Sequence, residues 1–401
     1  MKVSELRVGL LFYFVGTEHI YVNVLSQTGE RHLTRLATVE QIWPSVDQLV
    51  KVLQQPLRCS QSEVVETLQR FSGEWGKLLL PPVESLENFD VLVIVPHHFL
   101  HYLPFHLVSL GHGSQYVGTR FGISYCSSAT LFTRAVERNI ARRQTGSEWE
   151  FSLLKPVPDC AATTPRKCVS LGVDIVGQND REYNQLARDC ASYFREGRYL
   201  DLGRLGLKQS LNECADVICL VCHGYADTFV SDKSGLLLRS PSDTMGEMTI
   251  LLHDGSPYRF RDLPLSYVPP HIQPAKCHTG LEEAELMTVG EVKIFVGTAT
   301  QLVMLLGCST GAGQILSGDM FGSLAYQWLA AGAASVLAHA WEADLRFVSE
   351  WMPVFTDNWI SKRQPKAIAV RESLKKLVGK SQNPDETLNL WGAITLLGDW
   401  L

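Results

Sequence analysis

Residues 301–313 read QLVMLLGCSTGAG, an apolar run that leads directly into glycine, cysteine and small polar residues. Runs that are apolar at nearly every position are typical of parallel strands whose two faces are both covered. Similar runs occur four more times, as VLVIV (91–95), CVSLGV (168–173), DVICLV (216–221) and ASVLAHA (334–340). The intervening segments can hold crossover helices, so the sequence predicts a doubly wound α/β fold with a mostly parallel sheet flanked by helices.

The rest of the chain supplies helices, a cap and irregular segments. Helical patterns cover 129–143, 181–194, 319–331 and 365–378. Near the N-terminus, VGLLFYFVG and HIYVNVLSQ predict a β-hairpin, and 45–53 and 62–80 predict two helices. We therefore expect a small β/α cap at 1–85 and the main domain at 86–401. Residues 143–166 and 231–290 are rich in turn-forming residues and predict loops.

Composition narrows the function classes. The chain has 36 basic and 42 acidic residues, a formal charge of −6, and no dense Lys/Arg cluster, so we expect no direct nucleic-acid partner. Ten cysteines at irregular spacing are typical of reduced thiols in a cytoplasmic protein. The first residues lack the pattern of a signal peptide, and no apolar run reaches membrane-spanning length. We expect a cytoplasmic protein with no membrane partner.

Two predicted strand ends carry residues that can take part in catalysis. His223-Gly224 follows DVICLV, and Cys308 follows the apolar part of 301–313. Ligands bind at the carboxyl ends of strands in doubly wound sheets. A histidine there can accept a proton from a cysteine thiol and stabilise the thiolate. If the two strands are neighbours in register, His223 and Cys308 will lie close together.

Other motifs suggest rival chemistries. Cys219-Leu220-Val221-Cys222-His223 matches the CxxCH of haem attachment, but a buried strand cannot present both thiols to one porphyrin edge, and no second pair completes a zinc site. Residues 307–311 match G-x-S-x-G, in which Ser309 would be the nucleophile of an α/β-hydrolase, provided a helix follows directly. These motifs predict neither a metal nor a cofactor.

A cluster of four histidines gives a further metal hypothesis. PHHFLHYLPFHL contains His97, His98, His101 and His106. Their spacing fits no closed zinc pattern, and Pro96 and Pro104 interrupt regular structure. The segment is more typical of a structural loop than of a ligand set.

Taken together, these stretches resemble the CHAT domain family, a branch of the caspase-like cysteine peptidases related to separase and gingipain. The resemblance is carried by VLVIVPHHFLHYLPFHLV, ISYCSSATLF, ICLVCHGYAD, LVMLLGCSTGAG, AAGAASVLAHAWEAD and LWGAITLLGDW. The chain has His98-Phe99 where an Asp-Gly turn is common in the family. The resemblance implies a pseudo-repeat half at 86–165 and a catalytic half at 166–401.

The resemblance also implies site residues. His223 and Cys308 would form a Cys-His dyad, and the backbone N–H groups of Gly224 and Cys308 would form the oxyanion hole. Leu306, two residues before the nucleophile, would help line the substrate pocket and favour cleavage after an uncharged, aliphatic residue. Cys219 and Cys222 would have no catalytic role.

The family context suggests how the enzyme is regulated, and it offers one alternative to a catalytic role. Some CHAT proteins resemble effectors of bacterial immunity, so we expect a protein substrate and a regulatory or sensor partner in an antiviral defence or signalling system. Self-association could also gate the enzyme, with loops in 225–300 ordering on activation. The alternative is a CHAT-like scaffold that has lost catalysis, although both dyad residues are present.

Overall fold

The computed structural model of the chain contains one large mixed sheet. It describes residues 5–54, 60–111, 115–143, 165, 167–172, 180–201, 215–222, 224–225, 235–237, 249–251, 257–259, 284–288, 292, 300–307, 310–316, 320–342, 344–381 and 383–401. Within this described part, the main sheet has 11 strands in the order β3-β2-β1-β4-β5-β18-β17-β14-β8-β6-β7. Their bounds are β1 Val8–Val15, β2 His19–Ser26, β3 Arg31–Thr38, β4 Val91–Val95, β5 Gly122–Tyr125, β6 Lys167–Gly172, β7 Glu196–Asp201, β8 Val217–Val221, β14 Leu302–Leu305, β17 Ser335–His339 and β18 Ile394–Gly398.

The prediction of a mostly parallel sheet is confirmed, with one reversal in the middle. Strands β1, β4, β5 and β18 run parallel to one another, and so do β17, β14, β8, β6 and β7, whereas β2 pairs antiparallel with both β1 and β3. The two groups meet where β17 pairs antiparallel with β18. The strands predicted from the five apolar runs are all present, and their central residues are buried.

The N-terminal segment extends the main sheet. β1 and β2 form the predicted hairpin, and β1 also pairs in parallel with β4. The sequence did not predict β3, because Arg31–Thr38 is largely polar and lies at the edge of the sheet, where burial does not require an apolar pattern. The boundary proposed at residue 85 therefore separates segments that share one sheet.

Helices cover the faces of the sheet. Their bounds are α1 Val39–Gln54, α2 Gln61–Gly73, α3 Val117–Arg120, α4 Ala129–Arg143, α5 Asp180–Ser192, α6 Leu324–Ala331, α7 Leu345–Thr356, α8 Lys366–Val378 and α9 Leu388–Trp391. α4 spans the predicted 129–143. α6 begins five residues later than predicted, because Met320–Ser323 forms a strand and Ser323 caps the helix through a bond from the Tyr326 amide.

Two smaller sheets lie outside the main one. The described residues between 224 and 288 form β9 Gly224–Tyr225, β10 Gly235–Leu237, β11 Thr249–Leu251, β12 Pro257–Arg259 and β13 Ala284–Thr288, in the order β12-β11-β13-β10-β9. A hairpin of β15 Gly313–Leu316 and β16 Met320–Ser323 follows β14. Most of the predicted loops at 143–166 and 231–290 lie outside the described residues.

Candidate active site

The candidate active site lies at the carboxyl ends of β8 and β14, which are neighbours in the main sheet. The two strands are parallel and in register: Leu302 pairs with Val217, and Leu305 pairs with Leu220. The ladder continues one residue further, where the Leu306 amide donates to the Leu220 carbonyl oxygen at 2.9 Å. Because parallel neighbours end at the same edge of a sheet, the segments that follow both strands start side by side.

The register has a direct bearing on the predicted dyad. His223, Cys308 and Ser309 lie outside the described residues. In every pair between β14 and β8, the two residue numbers differ by the same amount, and the numbers of Cys308 and His223 differ by that amount as well. The two residues therefore follow the ends of paired strands at equivalent positions.

The residues before the predicted dyad are firmly packed. Cys222 has no exposed surface, and Leu306 has 1% of its surface exposed. Leu306 thus belongs to the core in the described structure, although the prediction assigned it to a substrate pocket. Gly224, predicted for the oxyanion hole, opens β9, which pairs with β10 through Leu236.

Thr310 anchors the segment that follows the predicted nucleophile. Its hydroxyl oxygen lies 3.0 Å from the Leu305 carbonyl oxygen and 3.1 Å from the Gly307 carbonyl oxygen, either of which can accept its proton. The same oxygen accepts a bond from the His339 amide at 3.1 Å. One buried hydroxyl therefore connects the end of β14 to the end of β17.

A second bond supports the same connection. The Gly311 amide donates to the His339 carbonyl oxygen at 2.8 Å. A β-carbon on Gly311 would lie 3.2 Å from that oxygen, so this close approach favours glycine. Sequence reasoning missed Thr310; the available signal was a small hydroxyl residue two positions after the cysteine.

The described residues argue against the serine-hydrolase hypothesis. A nucleophile elbow continues into a helix, whereas here a turn at 310–311 is followed by strand β15. His339, the later histidine of the chain, is buried at the end of β17. Burial lowers the pKa of His339 to about 4, and a contact with the Leu305 backbone partly opposes this shift.

The thiols of the CxxCH motif are in the core. Cys219 and Cys222 are free, buried cysteines, so neither thiol can reach a porphyrin. Cys219 lies beside two further buried thiols: it hydrogen-bonds Cys190, which raises the pKa of the Cys190 thiol, and it contributes to a raised pKa at Cys168, where burial is the larger cause. The raised pKa values keep the Cys190 and Cys168 thiols protonated and unreactive.

The histidine cluster is held by structural contacts. The His106 Nε2 donates to the Gly392 carbonyl oxygen, and its Nδ1 accepts from the Tyr125 hydroxyl, both at 2.8 Å. Burial lowers the pKa of His106 to about 4, so the ring is neutral at pH 7. Among the described residues, no group of three or more His, Cys, Asp or Glu side chains is arranged to hold a metal.

His98 occupies the turn in which the family commonly has Asp-Gly. Its φ is +53°, in the left-handed region that disfavours residues with a β-carbon. The positive φ therefore falls at the position of the aspartate, and Phe99, at the position of the glycine, does not share it.

Comparisons with known proteins agree with this architecture. A profile described as CHAT domain matches residues 69–399. The structure of the separase–securin complex of Saccharomyces cerevisiae is similar with a TM-score of 0.57 at 10% identity, covering 99% of this chain and 30% of that one. The Arg-specific cysteine proteinase gingipain R gives a TM-score of 0.46 at 9% identity, covering 90% of this chain and 75% of that one.

The family match and the similarity to the separase chain establish the fold as caspase-like. The chain spans less than a third of the separase chain that it matches, and identities near 10% carry no information on substrate. No curated protein sequence matches the chain. In the part of the chain that the structure describes, no helix is both long and apolar enough to cross a membrane.

Proposed function

Because the chain belongs to the CHAT domain family, we propose that it is a cysteine endopeptidase in which His223 and Cys308 form the catalytic dyad. The observation that carries this proposal is the register of β8 and β14, which gives both residues equivalent positions after paired strands. Buried alternatives are unsuitable, because burial keeps the pKa of the Cys168 thiol high.

The chemistry follows from the two residues and their backbones. His223 takes the thiol proton, and the Cys308 thiolate attacks the carbonyl carbon of the substrate peptide bond. The N–H groups of Gly224 and Cys308 would bind the oxyanion that develops, and one such donor contributes about 3 kcal/mol of transition-state stabilisation. The His223 imidazolium then protonates the leaving amine, and water attacks the thioester with His223 as the base.

Thr310 supports the geometry of this site as a positioning residue. Its hydroxyl fixes Gly307 on one side of Cys308, while Thr310 itself is fixed to the His339 amide on the other. Activity depends on placement of the reacting atoms, because displacements near 1 Å can cost about a hundredfold in rate. The described residues that flank Cys308 are thus held to two neighbouring strands.

The proposal includes substrate preference and control. Leu306, two positions before the nucleophile, is apolar and buried, so it supplies no charge to a substrate pocket, and cleavage should follow an uncharged, aliphatic residue. We also propose a cytoplasmic role in bacterial antiviral defence or signalling, in which a sensor partner or self-association gates the peptidase activity. Best turnover after Arg or Asp in a peptide library would refute the preference. Full activity of the isolated monomer would refute the gating.

The test of catalysis is covalent trapping. The protein is treated with a peptidyl electrophile that captures nucleophilic cysteines, and the adduct is mapped by tandem mass spectrometry. We expect the adduct on Cys308, its loss in His223→Ala, and its retention in Ser309→Ala. Loss in Ser309→Ala with retention in Cys308→Ala would favour the serine hydrolase. The absence of any adduct, with and without a partner, would favour the inactive scaffold.

A further inference from the structure

The outer edge of β3 is open for pairing. β3 is the last strand of the main sheet on the N-terminal side, and among the described residues only β2 pairs with it. An open edge presents backbone N–H and C=O groups that can bind another extended chain. Native proteins usually protect such edges, so an exposed edge with a binding surface beside it indicates a docking site.

The hydrogen-bonding pattern shows which residues would receive that chain. The Ser26 amide donates to the Glu30 carbonyl oxygen at 3.0 Å, which makes this a hydrogen-bonded pair of the hairpin. Bonded and non-bonded pairs alternate along an antiparallel ladder, so Arg31, Leu33 and Arg35 direct their N–H and C=O groups away from β2. Three residues can therefore form a new ladder.

A groove runs beside this open edge. It has a volume of about 600 Å³ and is lined on one side by residues 34–37 of β3. Leu78 and Val83 line the other side with 41% and 37% of their surface exposed, and Leu33 on the strand itself is 73% exposed. A strand edge that served only to prevent association would not combine an exposed leucine on the strand with exposed apolar residues beside the neighbouring groove.

The charged residues that line the groove have one sign. Arg35 and Lys77 line it, Arg31 lies four residues before Arg35 on the same strand, and all three side chains are exposed. No carboxylate is among the described residues that line the groove, and none of the three cations forms an ion pair within the described structure. Their charge is available to an acidic partner.

We propose that the β3 edge and this groove bind an extended segment of another protein in which acidic and apolar side chains alternate. Side chains of an added strand point alternately to the two faces of the sheet. One set would lie beside Arg31 and Arg35, which favours Asp and Glu. The other set would lie on the face of Thr34 and Leu36, which line the groove together with Leu78, and this face favours aliphatic residues.

A second copy of this chain fits the edge less well. Antiparallel pairing of two β3 strands centred on Leu33 would place Arg31 of each copy opposite Arg35 of the other. Like charges directly opposite each other destabilise a strand pair. An acidic segment replaces these two repulsions with two attractions, so charge complementarity selects a different protein as the partner.

This docking site is separate from the proposed catalytic site. Six strands lie between β3 and β14 in the main sheet, a span of roughly 35 Å at ordinary strand spacing. The inference therefore does not depend on the dyad. A catalytically silent Cys308→Ala variant should bind the segment as well as the parent protein does.

The test uses a fluorescein-labelled nine-residue peptide that alternates valine and glutamate, with fluorescence anisotropy as the readout. We expect binding that weakens as salt rises, and at least about tenfold weaker binding of the matching valine–lysine peptide. The double variant Arg35→Glu/Lys77→Glu should reverse this preference. Lys380→Glu, at an exposed lysine outside the groove, is the matched control and should leave binding unchanged.

Peptide N-methylation tests the strand geometry without altering the protein. Only one alternate set of amides in the peptide can face β3, so methylation of that set should abolish binding, and methylation of the other should change it by less than about threefold. Equal effects of both sets would overturn the proposal. So would equal affinity for the acidic and basic peptides, an unchanged preference in a folded double variant, or a dimer that forms through β3.

Discussion

The hydroxyl of Thr310 should control both the stability of the protein and the reactivity of Cys308. Thr310→Val keeps the shape of the side chain but removes an acceptor from the buried His339 amide and a donor from the Leu305 and Gly307 carbonyl oxygens. An unpaired buried amide costs about 1–3 kcal/mol. We therefore expect the valine variant to lose about 2 kcal/mol of unfolding free energy.

Thr310→Ser is the matched control, because it keeps the hydroxyl and removes one methyl group, at a cost of about 1 kcal/mol. Urea unfolding gives the stability of each variant, and the alkylation rate of Cys308 under folding conditions gives its reactivity. We expect the valine variant to react at least about tenfold more slowly and the serine variant to stay within about threefold of the parent protein. A valine variant that is as stable and as reactive as the parent would refute the role of this hydroxyl.

Two other predictions concern stability. Burial lowers the pKa values of His106 and His339 to about 4 in the folded protein, so the stability that these residues contribute is complete above pH 6.5 and is lost as the pH falls toward 4, by up to about 3 kcal/mol each. The urea midpoint of unfolding should therefore be lower at pH 4.5 than at pH 7, and the difference should be smaller in His106→Gln. Equal midpoints at the two pH values would contradict this prediction. Gly398→Ala should lower the free energy of unfolding by at least about 2 kcal/mol more than Gly29→Ala does. Both glycines have a φ near +85°, but only at Gly398 would a β-carbon lie 2.5 Å from a carbonyl oxygen. Similar shifts of the thermal midpoint in the two variants would contradict this prediction.

The sequence predicts the buried part of the fold well. Strands such as Val91–Val95 and Val217–Val221 are covered on both faces, so their apolar character is visible without any structural information. Helix Ala129–Arg143 was predicted in full for a similar reason, since its amphipathic period is regular.

Two of the strands that the sequence analysis missed lie where burial leaves no such pattern. Arg31–Thr38 and Glu196–Asp201 lie at the two edges of the main sheet, where polar residues are tolerated. The reversal of direction between β17 and β18 could not be predicted, because a strand buried on both faces has the same composition in either direction.

The candidate site was predictable only in outline. The apolar runs before His223 and Cys308 indicated strand ends, but their pairing required the register of the sheet. The role of Thr310 could not be predicted, because it depends on a hydrogen bond from the His339 amide, which lies on a different strand. Contacts between distant segments of this kind cannot be read from residue spacing.

The most direct test of the account is the pH dependence of Cys308 alkylation. The rate of iodoacetamide labelling at Cys308, followed by mass spectrometry from pH 5 to 10, reports the fraction of thiolate. If His223 activates Cys308, the thiol will titrate well below the value near 8.5 of a free cysteine, and His223→Ala will return it to that value. A Cys308 that titrates at or above 8.5 in both proteins would contradict the dyad.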